Sequence, residues 1–144
     1  MPIASPRVRQ NYLAIVIAAV ACFLFEAAWY SLFLEAWLKG IGHDHAWLVG
    51  QGANPALQYG TALVSEALIA TAISCVTQLT GTLTVLRAMK VAAILWLGLV
   101  LPTIAVEEVF EVRSYALFAV NTGFWLLGMV LMGAIVGAWK KART

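Results

Sequence analysis

Four long stretches of apolar residues, separated by short polar segments, dominate the pattern of this chain. They cover residues 12–34, 55–79, 89–106 and 114–139. A helix of about 20 mostly apolar residues crosses the hydrocarbon core of a bilayer, and helices satisfy their own backbone hydrogen bonds in lipid. The pattern therefore predicts an all-α membrane protein, in which residues 1–144 form one domain built as a four-transmembrane-helix bundle.

The segments between the stretches carry turn-forming and charged residues. Residues 40–55 contain Gly, His, Asp, Asn and Pro and are predicted to form a loop. Gly81 ends the second stretch together with the threonines around it. An acidic run of Glu107, Glu108 and Glu111 separates the third stretch from the fourth.

The placement of the basic residues predicts the orientation of the bundle. In a four-span protein, the two terminal segments and the segment between the second and third spans share one side of the membrane. Those three segments hold seven of the nine Lys and Arg residues, and Lys39 and Arg113 fall on the other side. The seven are Arg7, Arg9, Arg87, Lys90, Lys140, Lys141 and Arg143. By the positive-inside rule, both termini are predicted to be cytoplasmic, in a plasma or inner membrane.

Composition agrees with this assignment and excludes several classes of function. The chain is 62% hydrophobic and 11% charged, whereas a soluble domain is about 45–50% apolar and about 25% charged. A net charge of +2 is too small to indicate a nucleic-acid partner, and the lack of a Gly-rich phosphate loop indicates no nucleotide-binding fold. Cys22 and Cys75 lie at different depths of their predicted helices, so we expect apolar packing roles and no disulfide.

Two acidic residues, Glu26 and Glu66, lie within the apolar stretches. A carboxylate near the bilayer centre costs about 2.5–3.5 kcal/mol on insertion scales. Neither residue has a Lys or Arg three or four positions away in its own helix. We therefore expect both side chains to face the bundle interior as neutral acids.

Helical spacing places further polar and aromatic residues on the same faces as these two acids. In the third stretch, Pro102 is expected to bend the helix and to free a carbonyl group. If the four faces point inward together, they line one acidic and aromatic pocket in the outward half of the bundle, as is typical of a small-molecule site. The predicted catalytic residues are Glu26, Glu66, Asn121 and Tyr30, and the predicted substrate-binding residues are Trp29, Phe33, Tyr59, Trp96, Thr103, Glu107 and Trp125.

This pocket predicts binding of a lipophilic small molecule beside the surrounding membrane lipid. Glu26 and Glu66 would be acid and base, Asn121 and Tyr30 would orient the substrate, and the tryptophans would stack on it. Such a pair of carboxyl groups can catalyse isomerisation, cyclisation or epoxide opening without a cofactor. Two alternatives stay open: a proton-coupled small-molecule transporter that uses the two glutamates, and a non-catalytic accessory subunit whose polar residues only hold helices together.

Two further motifs have simpler interpretations. The triplet of His43, Asp44 and His45 is predicted to be a polar loop rather than a metal site, since a metal needs further ligands at fixed distances. Neither a metal nor a cofactor is expected. Gly133 and Gly137 form a small-xxx-small motif, which indicates close packing either within the bundle or at the face of a homodimer.

Short aromatic motifs stand near the end of the first stretch and along the fourth. Residues 29–33 read Trp-Tyr-Ser-Leu-Phe and are followed by Trp37, and residues 117–124 and 132–135 precede Trp139. These motifs are similar to those of the DUF1761 family of small membrane proteins, and the resemblance covers nearly the whole chain. It implies a fold of four membrane helices. Because that family has no assigned reaction, the resemblance implies no catalytic residues.

The chain departs from the pattern of this family at two places. Members typically have a proline before the Leu-Phe pair, where this chain has Ser31, and a lysine before the last tryptophan. Here Glu35 and Ala36 precede Trp37. The added acid changes the outer rim of the predicted pocket.

The predicted orientation can be tested with reporter fusions. We expect green fluorescent protein at the C-terminus to fluoresce and alkaline phosphatase at the same position to be inactive, because both reporters would stay in the cytoplasm. Alkaline phosphatase inserted within residues 40–55 serves as the control and should be active. The opposite pattern at the two positions would contradict the predicted orientation.

Overall fold

The computed structural model describes residues 8–139, which form helices and turns and contain no strand. Four helices of this range are long and apolar enough to cross a membrane: Tyr12–Leu32, Pro55–Thr80, Val85–Phe110 and Tyr115–Ala138. The predicted all-α fold with four such helices is therefore confirmed. Arg7, Lys140, Lys141 and Arg143, which carry much of the predicted orientation, lie outside the described residues.

Each of the four long helices begins at a side chain that caps its free N–H groups. Asn11 accepts from the Ala14 N–H before α1 (Tyr12–Leu32), and Asn54 accepts from two N–H groups before α4 (Pro55–Thr80). Thr84 and Ser114 do the same before α5 (Val85–Leu95) and α7 (Tyr115–Ala138). Such caps satisfy donors that have no partner in the first turn of a helix.

The helix bounds differ from the apolar stretches where a helix continues into polar sequence. The first helix ends at Leu32, and a short amphipathic helix, α2 (Leu34–Ile41), follows it. The predicted loop at 40–55 contains one further short helix, α3 (His45–Gly50), which Asp44 caps. The third long helix extends beyond the apolar stretch at both ends, from Val85 to Phe110.

The fourth long helix, α7, lies at the centre of the bundle. It packs against α1, α2, α4 and α5, and against α6 (Leu101–Phe110). Phe124, Met132 and Val136 of α7 are almost fully buried and join a core that includes Cys22 of α1 and Ile73 of α4. Since every other long helix contacts α7, this helix fixes their relative positions.

Gly133 and Gly137 let α7 approach α5 backbone to backbone. A Cβ atom added at Gly133 would lie 2.8 Å from the Ala88 carbonyl oxygen, and one at Gly137 would lie 2.7 Å from the Thr84 carbonyl oxygen. Both glycines are buried by α5 of the same chain. The structure thus shows this motif packed within the bundle, and the homodimer stays a prediction.

The third long helix contains a π-helical turn at its middle. This turn (Trp96–Val100) separates α5 from α6, and the Leu101 N–H bonds to the Trp96 carbonyl oxygen, five residues back. Pro102 follows immediately and has no N–H to donate, and its ring would collide with the carbonyl of the preceding turn in a regular helix. A π turn is one established way to absorb this conflict, and it accounts for the irregularity expected at Pro102.

The packing of α7 on α5 predicts opposite effects for two substitutions of glycine by alanine. Gly133→Ala places a methyl group against backbone atoms that cannot move aside, so we expect a loss of about 1–3 kcal/mol in the free energy of unfolding. Gly60→Ala in α4 meets open space and should be neutral or slightly stabilising, because alanine favours a helix. Unfolding in mixed detergent micelles measures both, and equal stability of the two variants would contradict this packing.

Candidate functional site

Glu66 is the most deeply buried acid of the described chain. Its side chain is 1% exposed, and neither carboxyl oxygen has a hydrogen-bond partner among the described residues. The Cys22 thiol and the Glu26 carboxyl group of α1 are its polar neighbours. Glu66 therefore lies at the contact between α4 and α1 with both oxygens available to a partner.

Glu26 lines a groove between α1 and α4 that opens at the surface of the bundle. The groove has a volume of about 280 Å³ and also includes Tyr30, Gln58 and Tyr59. Tyr59 is 59% exposed, and its ring meets Phe23 edge to face at a centroid distance of 5.7 Å. The remaining lining residues are Phe23, Ala27 and Ala62.

The groove leads towards Glu66 along one face of α4. Gln58, Ala62 and Glu66 follow one another at intervals of four residues, which places them on neighbouring turns of the same face. Glu26 thus lines the groove itself, and Glu66 lies one helical turn beyond Ala62.

A chain of hydrogen bonds connects the groove to a second buried acid across the bundle. The Tyr30 hydroxyl donates to Asn121 Oδ1 at 3.1 Å, and Asn121 Nδ2 donates to Glu108 Oε1 at 2.8 Å. Glu108 is 9% exposed, and its Oε2 has no partner among the described residues. The predicted pair of Tyr30 and Asn121 is thus in direct contact, and it is joined to an acid that the sequence did not single out.

Glu107 was expected to face the interior, and the structure corrects this prediction. Glu107 is exposed, and Glu108 occupies the inward position. The cause is the π turn, which adds one residue to the helix after Trp96 and shifts every later inward position by one. Regular spacing from Trp96 leads to Glu107, and the same spacing with one extra residue leads to Glu108.

Two of the predicted substrate-binding aromatics, Trp29 and Trp96, lie against α7, and a third, Phe33, packs on Trp29; none of them lines the groove. The Trp29 indole N–H donates to the Val120 carbonyl oxygen, and the Trp96 indole N–H donates to the Thr122 carbonyl oxygen, each at 3.0 Å. Phe33 packs on Trp29 with ring centroids 4.7 Å apart. These contacts tie α1 and the third long helix to α7.

Thr103 and Trp125 lie in a separate groove, between α4, the third long helix and α7. This groove has a volume of about 350 Å³, and its other lining residues are Ile69, Leu99, Val100 and Ile104. The Thr103 hydroxyl donates to the Leu99 carbonyl oxygen at 2.6 Å, so its proton is used within the helix. Of the predicted residues, Glu26, Tyr30 and Tyr59 thus line the first groove, and Thr103 and Trp125 line the second.

Gln58 is a groove residue that sequence reasoning missed, and its position carries a usable signal. It is a polar residue within an apolar stretch, and it precedes Glu66 by eight residues, which is two intervals of four along one helix face. Glu108 offers no comparable signal, because its inward position depends on the π turn.

The His-Asp-His segment forms local contacts near α2 and α3. The His43 ring stacks on Trp47 at 3.8 Å, and Asp44 caps α3. His45 Nε2 lies 2.6 Å from Glu35 Oε1. Within residues 8–139 no group of three or more His, Cys, Asp or Glu side chains is arranged to hold a metal ion.

Comparison with known proteins identifies a family and no characterised relative. The family model described as "Protein of unknown function (DUF1761)" matches residues 13–137. No curated protein matches the chain, and no solved structure does so.

The hydrogen bond between Tyr30 and Asn121 predicts different effects for two tyrosine substitutions. Tyr30→Phe removes the donor and leaves Asn121 Oδ1 unpaired, so we expect a loss of about 0.5–1.5 kcal/mol in the free energy of unfolding. Tyr59→Phe is the matched control, because the Tyr59 hydroxyl has no hydrogen bond within the described chain, and it should change stability by less than about 0.5 kcal/mol. Equal losses in detergent unfolding would show that the bond contributes nothing.

Proposed function

The chain belongs to the DUF1761 family, whose description assigns no reaction, and we propose that it binds a lipophilic small molecule in the groove between α1 and α4. The proposed activity is acid and base catalysis without a cofactor, of the isomerase, cyclase or epoxide-opening type. The substrate enters from the lipid, where it is already dissolved.

One observation carries this proposal: a half-buried carboxyl group without a cationic partner faces a groove with aromatic walls. Within the described chain, the ion pairs are those of Glu35 with His45 and of Arg113 with Glu111. Glu26 takes part in neither. A carboxyl group kept free of such pairing in an apolar environment is a suitable general acid or base.

The neighbours of Glu26 suggest how a substrate is held. Because the Tyr30 hydroxyl donates its proton to Asn121, its oxygen is available to accept a hydrogen bond from a polar group of the ligand. Gln58 adds an amide that can donate or accept. The rings of Phe23 and Tyr59 provide an apolar wall and can stabilise a cationic intermediate.

Glu66 completes the proposed acid and base pair. An isomerisation adds a proton at one atom of the substrate and removes a proton from another. In this proposal Glu26 contacts the substrate, gives up one proton to it and takes back the other. Glu66, the neighbour of Glu26 across the contact of α1 and α4, exchanges a proton with Glu26 before the reaction and so sets its starting protonation state. Asn121 holds Tyr30 in position and does not contact the substrate.

Proton-coupled transport is a second candidate, and the chain of polar groups across the bundle favours it. This chain of polar groups begins at Glu66 of α4 and runs through α1 and α7 to α6. Its further members are Glu26 and Tyr30 of α1, Asn121 of α7 and Glu108 of α6. Acids in such positions are common in proton pathways of membrane proteins. A role as an accessory subunit, the third alternative, needs the same contacts but no groove.

The accessibility of Glu26 can be tested with dicyclohexylcarbodiimide, an apolar reagent that modifies protonated carboxyl groups within membranes. We expect peptide mapping to find the label on Glu26, and Glu26→Gln to remove most of it, because the groove opens to lipid. Glu35→Gln is the control for loss of a neighbouring acid and should leave the labelling unchanged. Labelling that is unaffected by Glu26→Gln would show that the groove does not admit a lipophile.

The same variants distinguish catalysis from transport. For an enzyme, Glu26→Gln should change the ratio of two lipid-soluble compounds of equal mass in membranes that contain the protein, measured by chromatography before mass spectrometry. For a transporter, the variant should stop proton uptake into proteoliposomes in the presence of the compounds that bind. A variant that equals the wild type in both assays would refute both functions.

A further inference from the structure

A third groove lies at the opposite end of the bundle from Glu108. It has a volume of about 540 Å³ and is formed by the end of α4, the turn after it and α5. Neither candidate function above uses it. We call it the basic groove, and its lining residues are Val76, Thr80, Thr82, Thr84, Leu86, Arg87, Lys90, Val91, Ile94 and Leu95.

The charge of the basic groove has one sign only. Arg87 and Lys90 are exposed on its wall, and three threonine hydroxyls lie in the same lining. No acidic residue occurs anywhere between residues 67 and 106. The groove therefore presents two positive charges that no carboxylate of its own segment neutralises.

The two cations differ in their contacts within the described chain. Arg87 donates to the Thr80 carbonyl oxygen at the end of α4, and its guanidinium group lies over Gly81. Lys90 makes no hydrogen bond or ion pair with another residue of the range 8–139. Arg87 is thus held in place with donors to spare, and Lys90 is free to meet a ligand.

The apolar part of the groove continues from the cations towards the middle of the bundle. Arg87, Lys90, Val91, Ile94 and Leu95 follow the spacing i, i+3, i+4, i+7 and i+8, which is one face of α5. Val76 of α4 lies across from this face. From Arg87 to Ile94 the face rises by about 10 Å, so a cationic end and an apolar wall are combined in one continuous surface.

From this arrangement we infer that the basic groove binds an anionic phospholipid. The phosphate lies between Arg87 and Lys90 with the hydroxyl groups of Thr82 and Thr84 beside it, and an acyl chain follows Val91, Ile94 and Leu95. Basic pockets between transmembrane helices recognise anionic headgroups in this way. The apolar wall favours a lipid over a free anion, because only a lipid covers it.

The inference is tested by titrating lipids into delipidated full-length protein in detergent and counting bound lipids by native mass spectrometry. We expect phosphatidylglycerol to bind more tightly than phosphatidylcholine with the same acyl chains. Arg87→Gln with Lys90→Gln should weaken phosphatidylglycerol binding more than tenfold, since each cation near a lipid headgroup contributes about a fivefold change in affinity. Lys39→Gln with Arg113→Gln removes the same charge at the other end and should leave the binding unchanged.

A single variant and a competing ligand distinguish loss of the lipid site from loss of folding. Because Arg87 contacts the end of α4, its replacement could also disturb folding, so Lys90→Gln alone is decisive, with an expected weakening of about fivefold. Equal binding of the two lipids, or an unchanged affinity in Lys90→Gln, would overturn the inference. Inorganic phosphate that displaces phosphatidylglycerol at equal concentration would overturn it as well, because the apolar wall would then contribute nothing.

Discussion

The close approach of α7 to the helices around it is the interaction on which the rest of this structure depends. In lipid there is little hydrophobic driving force between helices, so van der Waals contact and interhelical hydrogen bonds must hold the bundle together. Gly133 and Gly137 bring α7 against the backbone of α5. At the other half of α7, the indole groups of Trp29 and Trp96 bond to its carbonyl oxygens. Only with α7 fixed in this way can Asn121 reach both Tyr30 and Glu108.

The missing N–H of Pro102 has a consequence that reaches beyond its own turn. The π turn that precedes it shifts the inward-facing positions of the rest of the third long helix by one residue. Glu108 therefore faces inward instead of Glu107. The Asn121 side-chain N–H therefore donates to the Glu108 carboxyl group. This bond fixes the Asn121 amide, whose oxygen accepts from the Tyr30 hydroxyl. One residue without a backbone donor thus decides which of two adjacent acids belongs to the polar chain.

The polar groups of this bundle divide between its two ends. The carboxyl groups of Glu26, Glu66 and Glu108, which form no ion pair within residues 8–139, lie in its middle or towards one end, and the basic groove lies at the other. This division fits a protein that acts on a lipophilic molecule at one depth of the membrane and holds an anionic lipid at another. The two proposals are independent, since no residue of the basic groove lines the groove of Glu26.

The sequence by itself determined the fold class, the four long helices and the presence of unpaired acids within them, because apolar length and charge are local properties that need no partner. It also placed Glu26 and Tyr30 on one face of the first long helix, because four residues separate them. Only the tertiary structure decided that Tyr59 of α4 lies beside this face, that Trp29 and Trp96 bond to α7, and that Trp125 and Thr103 line a second groove. The reason is that helical spacing defines a face but not the neighbour that the face meets, and a single π turn changes even the face.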